Sequence, residues 1–347
     1  GNSGATPAEG IIADVVVFKT YGELVAASAA SVAGKIVYVG NAMEPTQDGS
    51  GYGYYGPVRR SAPRIGAQKG ALAVVIRSLG TDYHRNPHTG LTSWQKVTPI
   101  PAGALPLPDA ENLQRMLKRG KPVTMRLVLT PRFVGDQVSG NVVAEVPGSD
   151  PDAGIILIGG HLDSWDLGTG AIDDAAGVAI TAAAARRIMD SGRPRRTIRV
   201  VWFGSEEVGG FGSDAYRAAH KDENVVFVAE SDFGSDRVWR MDANLTPANK
   251  PVVDRIAALL FPLGITVGTA QAEAGADLGD WAKAGVAAID LQQDGTRYFD
   301  LHHTPDDTFD KVDPEQLRQN VAAWTAMLAV LANAREPIGK LPPRPAE

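Results

Sequence analysis

Two rhythms of apolar and polar positions divide the chain. Up to residue 132, short strand-like runs at 14–18, 35–39, 73–76 and 123–129 are separated by helical stretches around 60–69 and 109–119, and by loops rich in glycine, proline and tyrosine. The run 49–57, GSGYGYYGP, carries too many glycines for regular structure and predicts a mobile aromatic loop, which suits a lid and equally a plain surface loop. From about residue 139 the signals alternate: strands at 142–146, 155–159, 197–203, 225–229 and 286–290, and helices at 175–190, 213–220, 252–263 and 314–334. Such alternation predicts an α/β fold, a mainly parallel sheet sandwiched between helices. The run Ile155-Ile156-Leu157-Ile158 is apolar throughout, as expected of a strand covered on both faces. The expected organisation is a smaller α+β domain over 1–132, an α/β domain over 133–335, and a loosely ordered proline-rich tail over 336–347.

Composition narrows the function. A chain of 347 residues, 44% apolar, can bury a substantial core in two domains or one large one. A formal charge of −6 argues against a nucleic-acid partner, which calls for a basic face. The basic run Arg193, Arg195, Arg196 lies between a helix and a strand and reads as a solvated turn. There is no cysteine, so thiolate metal sites and thiol nucleophiles are excluded, and a metal would need histidine and carboxylate ligands. No apolar run reaches the roughly 18 residues of a membrane span. The chain opens without a signal peptide, which fits a mature or trimmed form of a periplasmic or secreted protein.

In parallel sheets of this kind ligands bind at the carboxyl ends of strands, and acids and histidines gather there. After 155–158 come Gly159, Gly160, His161, Leu162 and Asp163, an imidazole and a carboxylate two residues apart. That spacing suits a metal-bound histidine with its orienting partner, although an ordinary polar contact looks the same. Asp173 and Asp174 directly precede an alanine-rich helix, where acids also stabilise a first turn without any metal; Asp173 can bridge two metals while Asp174 caps. Glu206 and Glu207, bounded by glycines at a strand end, repel each other unless a cation or proton compensates. One can bind metal while its neighbour faces the attacking water. Asp232 follows strand 225–229, and His302 and His303 lie in the proline-broken stretch 300–308.

Chance explains the recurrence of these residues at successive strand ends poorly. Nitrogen and oxygen ligands without sulfur suit zinc ahead of manganese, cobalt or iron. Two ions about 3.5 to 4 Å apart, sharing a carboxylate, would polarise a carbonyl and acidify a shared water. Glu206 is the candidate general base. The chain has no G-x-S-x-G elbow, which removes the serine-hydrolase alternative.

The motifs His161-Leu162-Asp163-Ser164, Asp173-Asp174, Glu206-Glu207, Glu230-Ser231-Asp232 and His303-Thr304-Pro305-Asp306-Asp307-Thr308 resemble the aminopeptidase S/Y family of co-catalytic two-zinc exopeptidases. The run 161–171, HLDSWDLGTGA, is most similar to its plasma glutamate carboxypeptidase branch, bacterial members included. The likeness reaches Ile76-Arg77-Ser78 and Pro87-His88-Thr89-Gly90 in the first domain, which is similar to a protease-associated domain that borders the active-site entrance.

The resemblance implies two zinc ions, one on His161, Asp173 and Asp232 and the other on Asp173, Glu207 and His303. It implies Glu206 as general base, Asp163 as the carboxylate orienting His161, and a cis peptide between Asp173 and Asp174. The expected activity is hydrolysis of short unblocked peptides in dipeptidase or carboxypeptidase fashion. The alternatives are a broad-specificity aminopeptidase with the same metals and a non-catalytic binding protein on the same scaffold. Tyr52, Tyr54, Tyr55 and Arg59 are candidates for lining the pocket of the free terminus. The expected partners are small peptides, with neither nucleic acid nor a membrane span, and a homodimer is compatible with the reading. The resemblance also implies that the first part of the catalytic domain is absent from this chain.

Overall fold

A computed structural model describes residues 1–344, and in it the chain forms two units. The N-terminal unit comprises Gly1–Gln137, Trp165–Leu167 and Phe299–Asp306, and the C-terminal unit takes Val138–Ser164, Gly168–Tyr298 and the chain from Asp307 onward.

In the N-terminal unit the strands are β1 (Ile11–Phe18), β2 (Ile36–Val39), β3 (Ala73–Arg77), β4 (Ala102–Leu105) and β5 (Thr124–Leu127), and the helices α1 (Tyr21–Ala26), α2 (Ala29–Val32), α3 (Ser50–Arg60), α4 (Ala62–Gln68) and α5 (Leu107–Leu117). The sheet order is β4-β3-β2-β1-β5, with β5 antiparallel to β1 and the remaining pairs parallel. Strand alternation splits β2 between two cores: Val37 and Val39 pack with Leu24 and Val58, and Ile36 and Tyr38 with Ala110 and Leu113.

The glycine-rich run expected to be a loop is α3. Glycine normally weakens a helix, but here Tyr52, Tyr55 and Val58 recur at three-residue spacing and pack on the core, so burial outweighs propensity. Gly49, in the left-handed conformation at φ 68°, makes the sharp entry.

The C-terminal unit holds β6 (Val142–Val146), β7 (Ile155–His161), β8 (Thr197–Phe203), β9 (Val225–Glu230), β10 (Val238–Asn244), β11 (Thr266–Val267) and β12 (Ala287–Gln293). Their order is β11-β10-β12-β9-β7-β8-β6. The centre, β12-β9-β7-β8, is parallel; β6 runs antiparallel to β8 and β10 antiparallel to β12. The helices are α6 (Ala176–Asp190), α7 (Phe211–His220), α8 (Lys250–Leu260), α9 (Gly275–Lys283), α10 (Tyr298–Leu301, crossing into the other unit) and α11 (Pro314–Asn333). Ile156 and Ile158 of β7 face the core formed with α6, α8 and α11, while Leu157 faces α9. The expected α/β layering, with helices on both faces, holds.

Two readings along this unit change. Arg196 is not on a solvated turn: it is 1% exposed and donates to the carbonyls of Ala153, Leu331, Ala334 and Glu336. The bonds to Leu331 and Ala334 satisfy carbonyls at the end of α11 that the helix leaves without partners. The tail is also tied down as far as it is described: Ile338 packs in the core, and the N–H groups of Leu341 and Arg344 donate to Gly285 and Lys283. Residues 345–347 lie outside the described residues. Among the described residues no helix is long and apolar enough to cross a membrane.

Candidate metal centre

β7 lies between β8 and β9, so three neighbouring strands deliver their carboxyl ends to one place in the C-terminal unit. His161 is the last residue of β7, Glu206 and Glu207 follow the end of β8, and Asp232 follows the end of β9. Asp173 and Asp174 enter from the turn Ala171–Ala175 ahead of α6, joined by a cis peptide bond as the resemblance implied. The packing is close enough to require glycine: a Cβ at Gly160 would strike the Asp174 carboxylate, and one at Gly177 the Ser231 carbonyl.

His161 is buried at the centre. Its Nε2 lies 3.0 Å from Asp173 Oδ1 and 3.4 Å from Asp232 Oδ1. One candidate ligand atom from each of His161, Asp173 and Glu207 lies within 4.8 Å of the others, and the same holds for His161, Asp174 and Asp232.

The carboxyl group of Asp163 does not hold the imidazole. His161 Nδ1 is 2.9 Å from the Asp163 backbone carbonyl, whereas the carboxylate is 3.9 Å away. That carboxylate accepts instead from the backbone N–H groups of Glu206 (2.9 Å) and Glu207 (3.2 Å). A carbonyl fixes the ring's tautomer as well as a carboxylate would, which frees the Asp163 side chain to order the turn carrying both glutamates.

Asp174 is held by backbone donors. Its oxygens accept from His161 N–H (3.0 Å) and Gly177 N–H (3.2 Å), so it caps α6 and pins β7 to it. Asp307 does for the opposite side of the turn what Asp174 does here, accepting from the N–H groups of Ile172 (2.6 Å) and Asp173 (3.2 Å).

The electrostatics call for a cation. Asp173, Asp174, Glu206, Glu207, Asp232 and Asp277 share the surroundings of one imidazole, and Glu230 lies against Asp277. Burial, then the charge of Asp232, raises Glu206 to about 8. Burial raises Asp277 to about 6 and pushes Asp174 and Glu230 well above the ordinary carboxylate range. For His161, burial alone would favour the neutral ring, but the charge of Asp232 and hydrogen bonds to Asp173 and Asp232 outweigh it and raise the group. A proton on Nε2, between the Asp173 and Asp232 carboxylates, accounts for that direction. Nitrogen and oxygen donors without sulfur, buried and in excess negative charge, fit a divalent ion.

The structure thus brings His161, Asp163, Asp173, Glu206, Glu207 and Asp232 together. His303 belongs to the N-terminal unit, where its Nδ1 lies 2.9 Å from the Thr89 carbonyl, and it has the left-handed φ of 61°. Tyr52 and Arg59 are in that unit as well, with Arg59 Nη2 donating to the Tyr52 hydroxyl at 2.5 Å; Tyr54 points to solvent. Sequence reasoning missed Asp277. It lies on α9, whose run GADLGDWAK starts with glycine and lacks a long apolar repeat, so no helix was expected there. Its N–H donates to Glu230 at 2.8 Å.

Comparison with known proteins agrees with this geometry. The profile described as "Peptidase family M28" matches residues 141–328. Carboxypeptidase Q of Bos taurus is 35% identical over 340 residues, covering 97% of this chain and 70% of that protein. The crystal structure of a peptidase M28 precursor from Shewanella amazonensis SB2B superposes with a TM-score of 0.91 at 42% identity, over 99% of this chain and 79% of that one. A zinc aminopeptidase from Bacillus subtilis shares the fold at a TM-score of 0.65 and 19% identity, over 96% of this chain and 78% of that one. On these matches and on its buried histidine-carboxylate centre, the chain belongs to peptidase family M28 and is a metallopeptidase.

Proposed function

We propose that this metallo-exopeptidase cleaves short unblocked peptides in carboxypeptidase or dipeptidase fashion, with two zinc ions at the centre built on His161. The observation that carries the reading is the set of buried His161 and Asp173 with half-buried Glu207 and Asp232, too negative to persist without protons or cations. His161, Asp173 and Asp232 would hold one ion, Asp173 and Glu207 the other, and the family resemblance adds His303 to the second. When bound, the metal pair supplies electrophilic activation of the scissile carbonyl and of the attacking water.

The chain's own groups do the rest. Glu206 takes the proton from the water and delivers it to the leaving amine. Its backbone is fixed by the Asp163 carboxylate, so Asp163 positions base and ligand together. Asp174 and Asp307 hold the turn from which Asp173 reaches the metals. The N-terminal unit would serve as the protease-associated domain, and the protein would work in the periplasm or outside the cell.

The preference for a free carboxylate is supported by the identity to carboxypeptidase Q across nearly the whole chain. Turnover of Ser-Met-type dipeptides compared with chromogenic aminoacyl amides tests it. Dipeptides should be the faster substrates; fast hydrolysis of the amides alone would overturn the reading in favour of an aminopeptidase.

A further inference from the structure

The segment Phe299–Asp306 folds with the N-terminal unit and is tied there at both ends. Near its start, Thr81 Oγ1 donates to Asp300 Oδ1 at 2.6 Å and Thr81 N–H to the Phe299 carbonyl at 3.1 Å. At its end, His84 Nδ1 and Asn86 Nδ2 lie 2.8 and 2.9 Å from Asp306 Oδ2.

Between these posts Thr89 grips His303 twice. Its N–H and its hydroxyl both donate to the His303 carbonyl, each at 3.0 Å. They hold a backbone that is otherwise unfavourable, since His303 is not glycine yet has a φ of 61°. The Thr89 carbonyl then receives His303 Nδ1 at 2.9 Å and Arg59 Nη1 at 3.1 Å.

That carbonyl decides the tautomer. A carbonyl only accepts, so its 2.9 Å contact requires the hydrogen on Nδ1, and it outweighs the longer approach of the guanidinium, which could donate only to an unprotonated Nδ1. The 3.4 Å approach of Arg59 Nη1 to Nδ1 is then not a hydrogen bond; both groups aim at the Thr89 oxygen. A ring protonated on Nδ1 carries its lone pair on Nε2. Arg59 is itself held by Tyr52, whose ring stacks on Phe299 with centroids 4.8 Å apart.

We propose that Thr89, seconded by Arg59, is a positioning residue that fixes the backbone and tautomer of His303 and so sets the affinity for one metal ion. The inference rests on the reading of His303 as a ligand.

Zinc content under chelator competition, measured with kcat/KM, tests it in Thr89→Val, Thr89→Ser, Arg59→Met and His303→Ala. His303→Ala should retain one zinc. Thr89→Val and Arg59→Met should weaken that same zinc by roughly 10- to 100-fold, as loss of partners behind a metal ligand does, while Thr89→Ser, which keeps the hydroxyl, should bind like the parent. If His303→Ala loses a zinc and Thr89→Val and Arg59→Met both bind two with parental affinity, the positioning role of the Thr89 hydroxyl and of Arg59 is overturned and the ligand reading survives. If His303→Ala binds two zinc ions with parental affinity, both are overturned. Melting of the zinc-free forms separates a folding defect from weaker binding, and if Thr89→Val does not fold, Arg59→Met decides between the same outcomes.

Discussion

His161 and His303 are both buried, and both have Nδ1 on a backbone carbonyl, yet the chain places them by opposite means. In the C-terminal unit, His161 ends a central parallel strand whose register to β8 and β9 is fixed by continuous ladders. In the N-terminal unit, His303 lies in a short loop with a left-handed φ, held by a threonine more than two hundred residues earlier in the chain. A site built on regular elements inherits its precision from the sheet. A site built on a loop needs dedicated hydrogen bonds, and these leave no periodic trace in sequence.

The sharpest break of this comparison comes from Asp173. Because Asp173 is the carboxylate expected to touch both metals, Asp173→Ala should abolish zinc binding at both positions and reduce hydrolysis to background. Elemental analysis after dialysis checks it, and an active variant with full zinc would remove Asp173 from the centre.

Next in size is Glu206→Gln. It should keep both metals and lower turnover by roughly two to four orders of magnitude, the usual worth of a positioned acid or base. Single-turnover rates beside zinc content check it; unchanged turnover would move the base elsewhere. Asp163 sharpens the same point, because its carboxylate orders the Glu206-Glu207 turn and leaves the imidazole to a carbonyl.

What the sequence made legible follows the same division. Strand ends at β7, β8 and β9 could be found because long apolar runs stop abruptly at His161, Phe203 and Glu230. The adjacent glutamates could be recognised because like charges at a buried strand end demand compensation. β10 was not legible: Val238-Trp239-Arg240-Met241-Asp242 mixes charge into a strand whose arginine and aspartate pair with each other at 2.8 Å. Asp307 could be quoted from a motif, but its contacts are to backbone N–H groups more than a hundred residues away, which spacing cannot show. Likewise α3 depends on Tyr52, Tyr55 and Val58 finding a core, a tertiary effect that local glycine content masks.

A moderate effect is expected from pH on the zinc-free protein. Burial and neighbouring charge raise Glu206 from 4.5 to about 8 and Asp277 from 3.8 to about 6 in the folded state. At these groups the folded chain holds more protons than the unfolded one, so stability should fall as pH rises from about 5 to 8, against an opposing contribution from the Gly1 ammonium, which burial lowers from 8.0 to about 6. His161, also raised, adds the same sign above its ordinary value of 6.5. Carboxyls that are lowered, such as Glu336 held at about 2 by its hydrogen bond to Arg255, lose their contribution only below this window. Zinc displaces these protons, so the gain it gives in urea midpoint should be larger at pH 8 than at pH 5. Urea melts at the two pH values, with and without zinc, check it; a zinc-free protein more stable at pH 8 would contradict the protonated centre.

The smallest effect tests the other unit, where the sequence pattern pointed to a loop. Gly53 lies within α3 with ordinary backbone angles, and a methyl group added there would meet nothing within 4 Å. In a helix, alanine at such a position stabilises by roughly 0.5 to 1 kcal/mol, because glycine gives up more conformational freedom on folding. In a mobile loop the same change would leave stability almost unmoved. Gly53→Ala should therefore raise the urea midpoint of the zinc-loaded protein without altering kcat/KM or zinc content. Since Tyr52 on the same helix supports Arg59, a Gly53→Ala protein that gained stability but bound zinc more weakly would show that α3 must flex to serve His303. Unchanged stability would return 49–57 to the loop its glycines suggest.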